Sequence, residues 1–389
     1  MTVTVAKGFL ASGVAAGLKK SGNKDVALVV NQGPLKSAAT VFTTNRCLAN
    51  PVLWSKQVIA DGEVEAIILN SGGANCYTGP EGFQTTHATA EAVAEQLSAN
   101  GNEVSAGDVL VCSTGLIGDQ LDRPKLLAGV SAAVSTLSPD SGLLAAEAIM
   151  TTDSISKTTS RTSGAGWSIG GMAKGAGMLA PGLATMLVVI TTDAVVDSKQ
   201  LDAALRNATK VTFDRLDSDG CMSTNDTVAL MASGASGVTP DPAEFQELLT
   251  AVSQDLALQL LRDAEGSSHD IAIAVTGAAS EEDAVEVGRS VARNNLFKAA
   301  VYGNDPNWGR ILAAVGTTRA EFDPYNIDVS INGVSVSRLG QPDQSRDLVD
   351  MTPRRVDIGI NLNSGSHAAT IYTNDLTHAY VTENSEYSS

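Results

Sequence analysis

The sequence predicts an α/β fold arranged in two lobes, and three observations carry that prediction. The chain has 389 residues, more than one small hydrophobic core organises by itself. Apolar strand-like runs alternate with helical stretches through the first third. The final stretch, roughly 70 residues, carries the short alternating runs and Asn-Gly punctuation of β structure.

The elements follow in order. Glu65-Ala66-Ile67-Ile68-Leu69 reads as a strand entering the glycine-rich turn Asn70 to Asn75. Thr85 to Ser98 spaces its alanines, Val93 and Leu97 as a helix, with Gly101 as its stop signal. Asp108 to Cys112 is a second strand, ending in Ser113-Thr114-Gly115-Leu116-Ile117-Gly118, where glycine lets the backbone turn and present its amides. Met186 to Thr192 is β-branched and apolar enough for a buried strand. Helices are expected over Ser198 to Ala208, Pro242 to Ala264 and, from the Ser280 cap with its acidic first turn, to about Asn295. Asp270 to Thr276 is a strand. Ile327 to Ile331 and Val334 to Val336 flank Asn332-Gly333 as a hairpin, and Val356 to Leu362 with Ala368 to Thr373 reads as a second pair. The tail Tyr380 to Ser389 reads on physical grounds as frayed.

Composition narrows the function. The net charge is −17, which argues against nucleic acid and anionic membrane surfaces as partners, because both demand clustered lysine and arginine. No basic segment followed by an apolar one opens the chain and no apolar run nears a membrane span, so a cytoplasmic protein is expected. Cys47, Cys76, Cys112 and Cys221 form no C-x-x-C pair, and His87, His269, His367 and His378 show no ligand spacing. No metal is expected, and buried free thiols are the default for the cysteines.

One threonine stands out. Lys174 to Leu187 runs Lys-Gly-Ala-Gly-Met-Leu-Ala-Pro-Gly-Leu-Ala-Thr-Met-Leu, so Thr185 stands just before the apolar run Met186 to Ile190. Cutting the Ala184–Thr185 bond makes Thr185 an N-terminal residue, whose free amine, with a reference pKa of about 8, serves as base for its own hydroxyl. Taken alone, the stretch is better read as a plain loop entering a core strand, since Ala-Thr dipeptides are common. Gly175 to Ala180 also fits G-x-G-x-x-A, but Pro181, Gly182 and a strand follow it where a dinucleotide turn needs a helix. Acyl transfer further needs oxyanion donors, and the hydroxyl and amide at Thr114-Gly115 have that character, as does an ordinary turn. Asp217 to Thr227 and Gly303 to Arg310 read as structural loops; the first lacks the glycine position and closing glutamate of a calcium loop. Glu265, near the end of a long helix, is badly placed against the helix dipole and is a candidate partner for a substrate ammonium.

Together these blocks resemble the ornithine acetyltransferase family of the cyclic arginine pathway. The resemblance rests on Asn70 to Gly79, Cys112 to Gly118, Met150 to Asp153, Lys174 to Leu187, Asp219 to Thr227, Arg262 to Gly266, Asn307 to Ile311 and Tyr380 to Ser389, in order along nearly the whole chain. It implies a two-lobed fold of the self-cleaving aminopeptidase type, similar to N-terminal-nucleophile hydrolases. It implies self-cleavage between Ala184 and Thr185, giving an α chain of residues 1–184 and a β chain of residues 185–389 that includes the β-rich lobe.

The implied activity is transfer of the acetyl group of N2-acetylornithine to glutamate through an ester on Thr185. Thr114 and Gly115 match the oxyanion pair, and Thr151, Lys174, Thr185, Glu265, Asn384 and Ser389 match the substrate-binding set. An α2β2 assembly or a multiple of it is implied, with no cofactor. Members either only recycle acetyl between ornithine and glutamate or also take it from acetyl-CoA, and the sequence leaves that choice open. An aminopeptidase or amidase on the related fold is the competing activity. The sequence departs from the family pattern at Cys221 and at the terminal Ser388-Ser389.

Overall fold

A computed structural model describes residues 2–99, 103–180 and 186–386. Ala184, Thr185 and Ser389 lie outside the described residues, as does the expected stop at Gly101. The chain forms two compact units. The first takes in residues 1–176, 182–214 and 222–260; the second takes in 177–181, 215–221 and 261–389. Neither follows the expected cleavage boundary, because short segments on both sides of residue 185 are traded between the units.

The first unit holds β1 (Phe9–Val14), β2 (Val26–Asn31), β3 (Ala38–Phe42), α1 (Asn50–Val58), β4 (Ala66–Ser71), α2 (Gly79–Ala99), β5 (Val109–Thr114), α3 (Arg123–Ser135), α4 (Gly142–Ala148), β6 (Lys157–Thr162), β7 (Ser168–Lys174), β8 (Leu187–Thr192), α5 (Ser198–Val211), β9 (Thr227–Ala232) and α6 (Pro242–Arg262). Its strands form two sheets, one ordered β1-β2-β4-β5 and the other β3-β9-β8-β7-β6. Strand periodicity of two sorts their side chains. Val26, Leu28, Ile68, Val109 and Val111 pack against α2 and α3 through Val93, Leu97, Leu126 and Val130. The alternate residues Ala27, Val29, Ile67, Leu69, Leu110 and Cys112 meet Met172, Leu187, Val189, Ala229 and Met231 of the second sheet. The outer face of that sheet is covered by α6, where Leu256 occupies the space a side chain at Gly171 would need. The unit is therefore layered helix, sheet, sheet, helix. The small residues of the inter-sheet core allow this close approach, which fits a chain with only 4% aromatics.

The second unit holds β10 (Asp270–Ala278), α7 (Glu281–Ala292), α8 (Asn295–Tyr302), α9 (Trp308–Val315), β11 (Asp328–Ile331), β12 (Val334–Arg338), β13 (Gln341–Pro342), β14 (Arg355–Asn361), β15 (His367–Asn374) and α10 (His378–Glu386). Its sheet is ordered β13-β12-β11-β14-β10-β15. Ile271, Ile273, Val275, Val356, Ile358 and Ile360 pack with Val287, Val291, Phe297 and Ile311 of the helices.

The mixed α/β class is the one the sequence predicts, and most elements fall where expected. The hairpin at Asn332-Gly333 forms, with both residues at positive φ (47° and 83°), the combination an I′ turn requires. Three expectations are corrected. Residues 356–362 and 368–373 are strands but do not pair, because β10 lies between them, parallel to β14 and antiparallel to β15; local alternation reports a strand and says nothing of its neighbour. The helix from Ser280 stops at Ala292, and the Asn294 side chain caps a separate α8 by accepting from the Phe297 amide. The tail is helical from His378 to Glu386, because the Thr377 hydroxyl accepts from the Tyr380 amide and donates to the Gly266 carbonyl.

Candidate active site

The first unit gathers four of the expected residues, Thr114, Gly115, Thr151 and Lys174. Thr114 is the last residue of β5 and continues the 110, 112 series that faces the second sheet. Lys174 is the last residue of β7 and is 1% exposed. Its ammonium donates to the Thr114 hydroxyl oxygen at 3.2 Å. A lysine can only donate, so it occupies the acceptor side of that hydroxyl and leaves the Thr114 proton for another acceptor. That is the orientation an oxyanion donor needs.

Gly115 follows at φ 134°, and a Cβ there would sit 2.5 Å from the Gly73 nitrogen. Both the dihedral and the space demand glycine. The corner is further held by the Asn225 amide, which donates to the carbonyls of Ala74 at 2.6 Å and Ser113 at 2.8 Å. Gly115→Ala is expected to cost about 2 kcal/mol or more of stability and to lower acetyl transfer by about 100-fold or more. Thermal unfolding and steady-state kinetics check this; an alanine variant with wild-type rates would show that the corner does no catalytic work.

Asp153 organises the basic side of this cluster. Its carboxylate accepts from Lys157 at 2.7 Å, from the Gly175 amide at 2.6 Å and from the Thr151 amide at 2.9 Å, with the Lys174 ammonium at 4.0 Å. Burial alone pushes this carboxyl up, but the charges of Lys174 and Lys157 and these hydrogen bonds overcome it and hold the pKa at about 2. An ionised Asp153 thus fixes Lys174 at the end of β7 and Gly175 just after it, and it also positions Thr151.

Asp226 behaves oppositely. It is wholly buried, its Oδ1 accepts from the Met186 amide at 3.0 Å, and its Oδ2 has no hydrogen-bond partner among the described residues. Burial raises its pKa well above the ordinary carboxylate value, against the pull of that amide, the Ser223 hydroxyl and Lys174.

The second unit gathers two more. α6 ends at Arg262, and Glu265 lies in the turn just beyond that end. Its carboxylate lies against Gly177, where a Cβ would come within 2.5 Å of both oxygens. Asn384, on α10, donates to Glu265 Oε2 at 3.0 Å. Physical reading of the tail gave Asn384 no role, while the family resemblance did; the helix is what brings it to Glu265.

Asp153, Asn225 and Asp226 are not singled out by the sequence, and their side chains hold backbone and lysine groups in this part of the unit. Asp153 lies in Thr151-Thr152-Asp153, a segment with no apolar period, and the other two lie in the Ser-Thr-Asn-Asp-Thr block read as structural. The density of polar residues entering β9 was the available signal. The default for the thiols is corrected in part: Cys76 and Cys112 are buried, but Cys47 and Cys221 are exposed. In the loop from Gly303 to Arg310 the structural reading holds, since Trp308 packs on the second core and Arg310 donates to the Leu296 carbonyl. Among the described residues, no group of His, Cys, Asp or Glu is arranged to hold a metal ion, and no helix is long and apolar enough to cross a membrane.

Comparison with known proteins agrees with the resemblance. The arginine biosynthesis bifunctional protein ArgJ of Streptomyces avermitilis is 62% identical over 389 residues, covering 100% of both chains. The protein of the same name from Thermobifida fusca is 61% identical over 388 residues, again with full coverage of both. A crystal structure of ornithine acetyltransferase complexed with ornithine from Mycobacterium tuberculosis is 54% identical, with a TM-score of 0.46, covering 48% of this chain and 96% of that one. The sequence profile of the ArgJ family matches residues 10–389. With that match spanning both compact units and identity above 60% over the full length, the chain belongs to the ArgJ family.

Proposed function

We propose that this ArgJ-family enzyme moves the acetyl group of N2-acetylornithine to glutamate, giving ornithine and N-acetylglutamate, through an acetyl ester on Thr185. The observation that carries the reading is full-length identity of 62% to a bifunctional arginine-biosynthesis protein. The polar cluster of Thr114, Gly115, Lys174 and Asp153 supports the acyl-transfer chemistry. "Bifunctional" in that name favours acetyl-CoA as a second acetyl donor, used as a substrate.

The chain first cleaves itself. The Thr185 hydroxyl attacks the Ala184 carbonyl carbon, the carbon–nitrogen bond breaks, and the hydroxyl proton ends on the Thr185 nitrogen. Water then hydrolyses the Ala184 ester, releasing residues 1–184 and 185–389 as the α and β chains of an α2β2 assembly. In each catalytic cycle the free Thr185 amine takes the hydroxyl proton while Oγ attacks the acetyl carbonyl. The Thr114 hydroxyl and Gly115 amide stabilise the oxyanion, whose charge exists only near the tetrahedral intermediate. The proton passes to the departing ornithine nitrogen. Glutamate's amine then attacks the ester and the steps run in reverse.

Lys174, held by Asp153, pairs with the substrate carboxylate; Thr151, Asn384 and Ser389 complete the binding set, and Glu265 takes the ornithine ammonium.

The aminopeptidase or amidase alternative differs in what accepts the acyl group. Ornithine release from N2-acetylornithine is expected to depend on added glutamate, with one N-acetylglutamate formed per ornithine. Ornithine released at the same rate without glutamate, with acetate as co-product, would assign the protein as a hydrolase.

A further inference from the structure

A cavity of about 160 Å3 lies within the second unit, and Glu265 and Tyr380 line it together with Asp219, Asp375, Arg293 and Lys298. Its acids are not equivalent. Asp375 accepts from the amides of Ser268 and His269, from the Ser268 hydroxyl and from His269 Nδ1. Asp219 accepts from the amides of Met178 and Cys221. Both are thus committed to hydrogen bonds within the protein that tie separate segments together. Glu265 accepts from one side-chain amide, that of Asn384, which leaves it acceptor capacity for a ligand.

The cations are placed differently. Arg293, at the end of α7, donates from Nε to Asp217 at 2.8 Å, and the Nε–H is one of the five donors on a guanidinium. Lys298, on α8, is 6% exposed and donates to the Ser218 carbonyl and to the Thr373 hydroxyl at 3.4 Å, two of its three donors. Burial lowers its pKa to about 8 against the opposing pull of Asp219, Asp217 and Asp375. A buried ammonium held by neutral oxygens gains from an added anion.

The two substrates of the proposed reaction pose a problem that this lining answers. They share an α-amino acid head and carry side chains of opposite charge. Resting on the acetyl-transfer reading above, we propose that this cavity is a single side-chain subsite with two charged ends: Glu265 receives the ornithine ammonium, and Lys298 with Arg293 receives the glutamate carboxylate. No side chain has to reverse its charge between half-reactions, because each substrate uses a different part of one lining. Lys298 and Arg293 are thereby specificity-determining residues for the acceptor.

Initial rates with N2-acetylornithine and glutamate varied independently test this in wild type, Lys298→Met, Lys298→Arg, Arg293→Gln and Glu265→Gln. Lys298→Met is expected to raise KM for glutamate about 10-fold or more while KM for N2-acetylornithine changes less than about 2-fold. Arg293→Gln should show a smaller split in the same sense, Lys298→Arg should restore most of the glutamate affinity, and Glu265→Gln should show the opposite split. Equal rises in both KM values, no change in either, or losses that simply follow a fall in unfolding temperature overturn the subsite. Failure of the untouched protein to transfer acetyl to glutamate would instead overturn the reading on which the subsite rests.

Discussion

Replacing Thr185 by alanine is expected to leave one uncut 389-residue chain and to lower acetyl transfer by at least about 10^4-fold. Two functions end with one hydroxyl. Without Oγ there is no nucleophile for the Ala184 carbonyl, so no α-amine is released at residue 185. Without that amine or hydroxyl, the acetyl group has nothing to be carried on. What remains is the Thr114–Gly115 corner and Lys174, which in the proposed mechanism stabilise charge but start no reaction. Intact-mass spectrometry under denaturing conditions reads the first effect directly. Wild type should give two fragments breaking after Ala184, and the variant a single chain. Two fragments from the variant would assign the cut to another nucleophile, and a single chain from both proteins would remove the N-terminal-threonine mechanism.

Replacing Asp153 by asparagine is expected to cost about 3–5 kcal/mol of stability, because it removes the carboxylate between two buried ammonium groups. Lys157 and Lys174 are 0% and 1% exposed, and Asp153 is the acid at 2.7 and 4.0 Å from them. An amide can still accept from the Gly175 and Thr151 amides, so local geometry is largely retained; it is the charge balance that fails. Activity should fall with it, since Lys174 loses the group that fixes its approach to Thr114 at 3.2 Å.

The same carboxyl sets an acid limit. Its folded pKa of about 2 lies below the ordinary 3.8, so its contribution is fully present above the unfolded value and is lost as pH falls from about 5 towards 2. The shift corresponds to about 2 kcal/mol. Chemical denaturation at pH 7 and at pH 3 checks both points: the gap between wild type and Asp153→Asn should narrow by about 1 kcal/mol at pH 3, roughly half of the full contribution, because a carboxyl of pKa about 2 is still mostly ionised there. An unchanged gap would mean that the carboxylate's charge does not stabilise the fold.

Much of this was legible in the sequence, and the division has a physical basis. Strands β4, β5 and β8 were readable because burial on both faces leaves near-continuous apolar runs, and β10 because its buried Ile271, Ile273 and Val275 alternate with more exposed residues. The Asn332-Gly333 hairpin was readable because its two positive φ angles restrict residue choice. Thr185 could be singled out because a hydroxyl just before an apolar run breaks the local pattern, and Thr114-Gly115 because glycine after a strand marks a turn. Those are short-range signals, complete within ten residues.

What the sequence by itself determined is therefore the α/β class, the order of elements, and, through spaced motifs, family membership with the expected reaction. Only tertiary structure decided that β10 separates β14 from β15, that the tail is a helix bringing Asn384 to Glu265, and that Asp153 links Thr151, Lys157 and Gly175. Each of these depends on partners remote in sequence: Asn384 and Glu265 are 119 residues apart, and Lys174 and Thr114 are 60 apart. Charge and hydrogen bonding act through space over a few ångströms, whereas propensity and periodicity act along the chain. A polar residue's own neighbours in sequence cannot reveal which distant group will satisfy it.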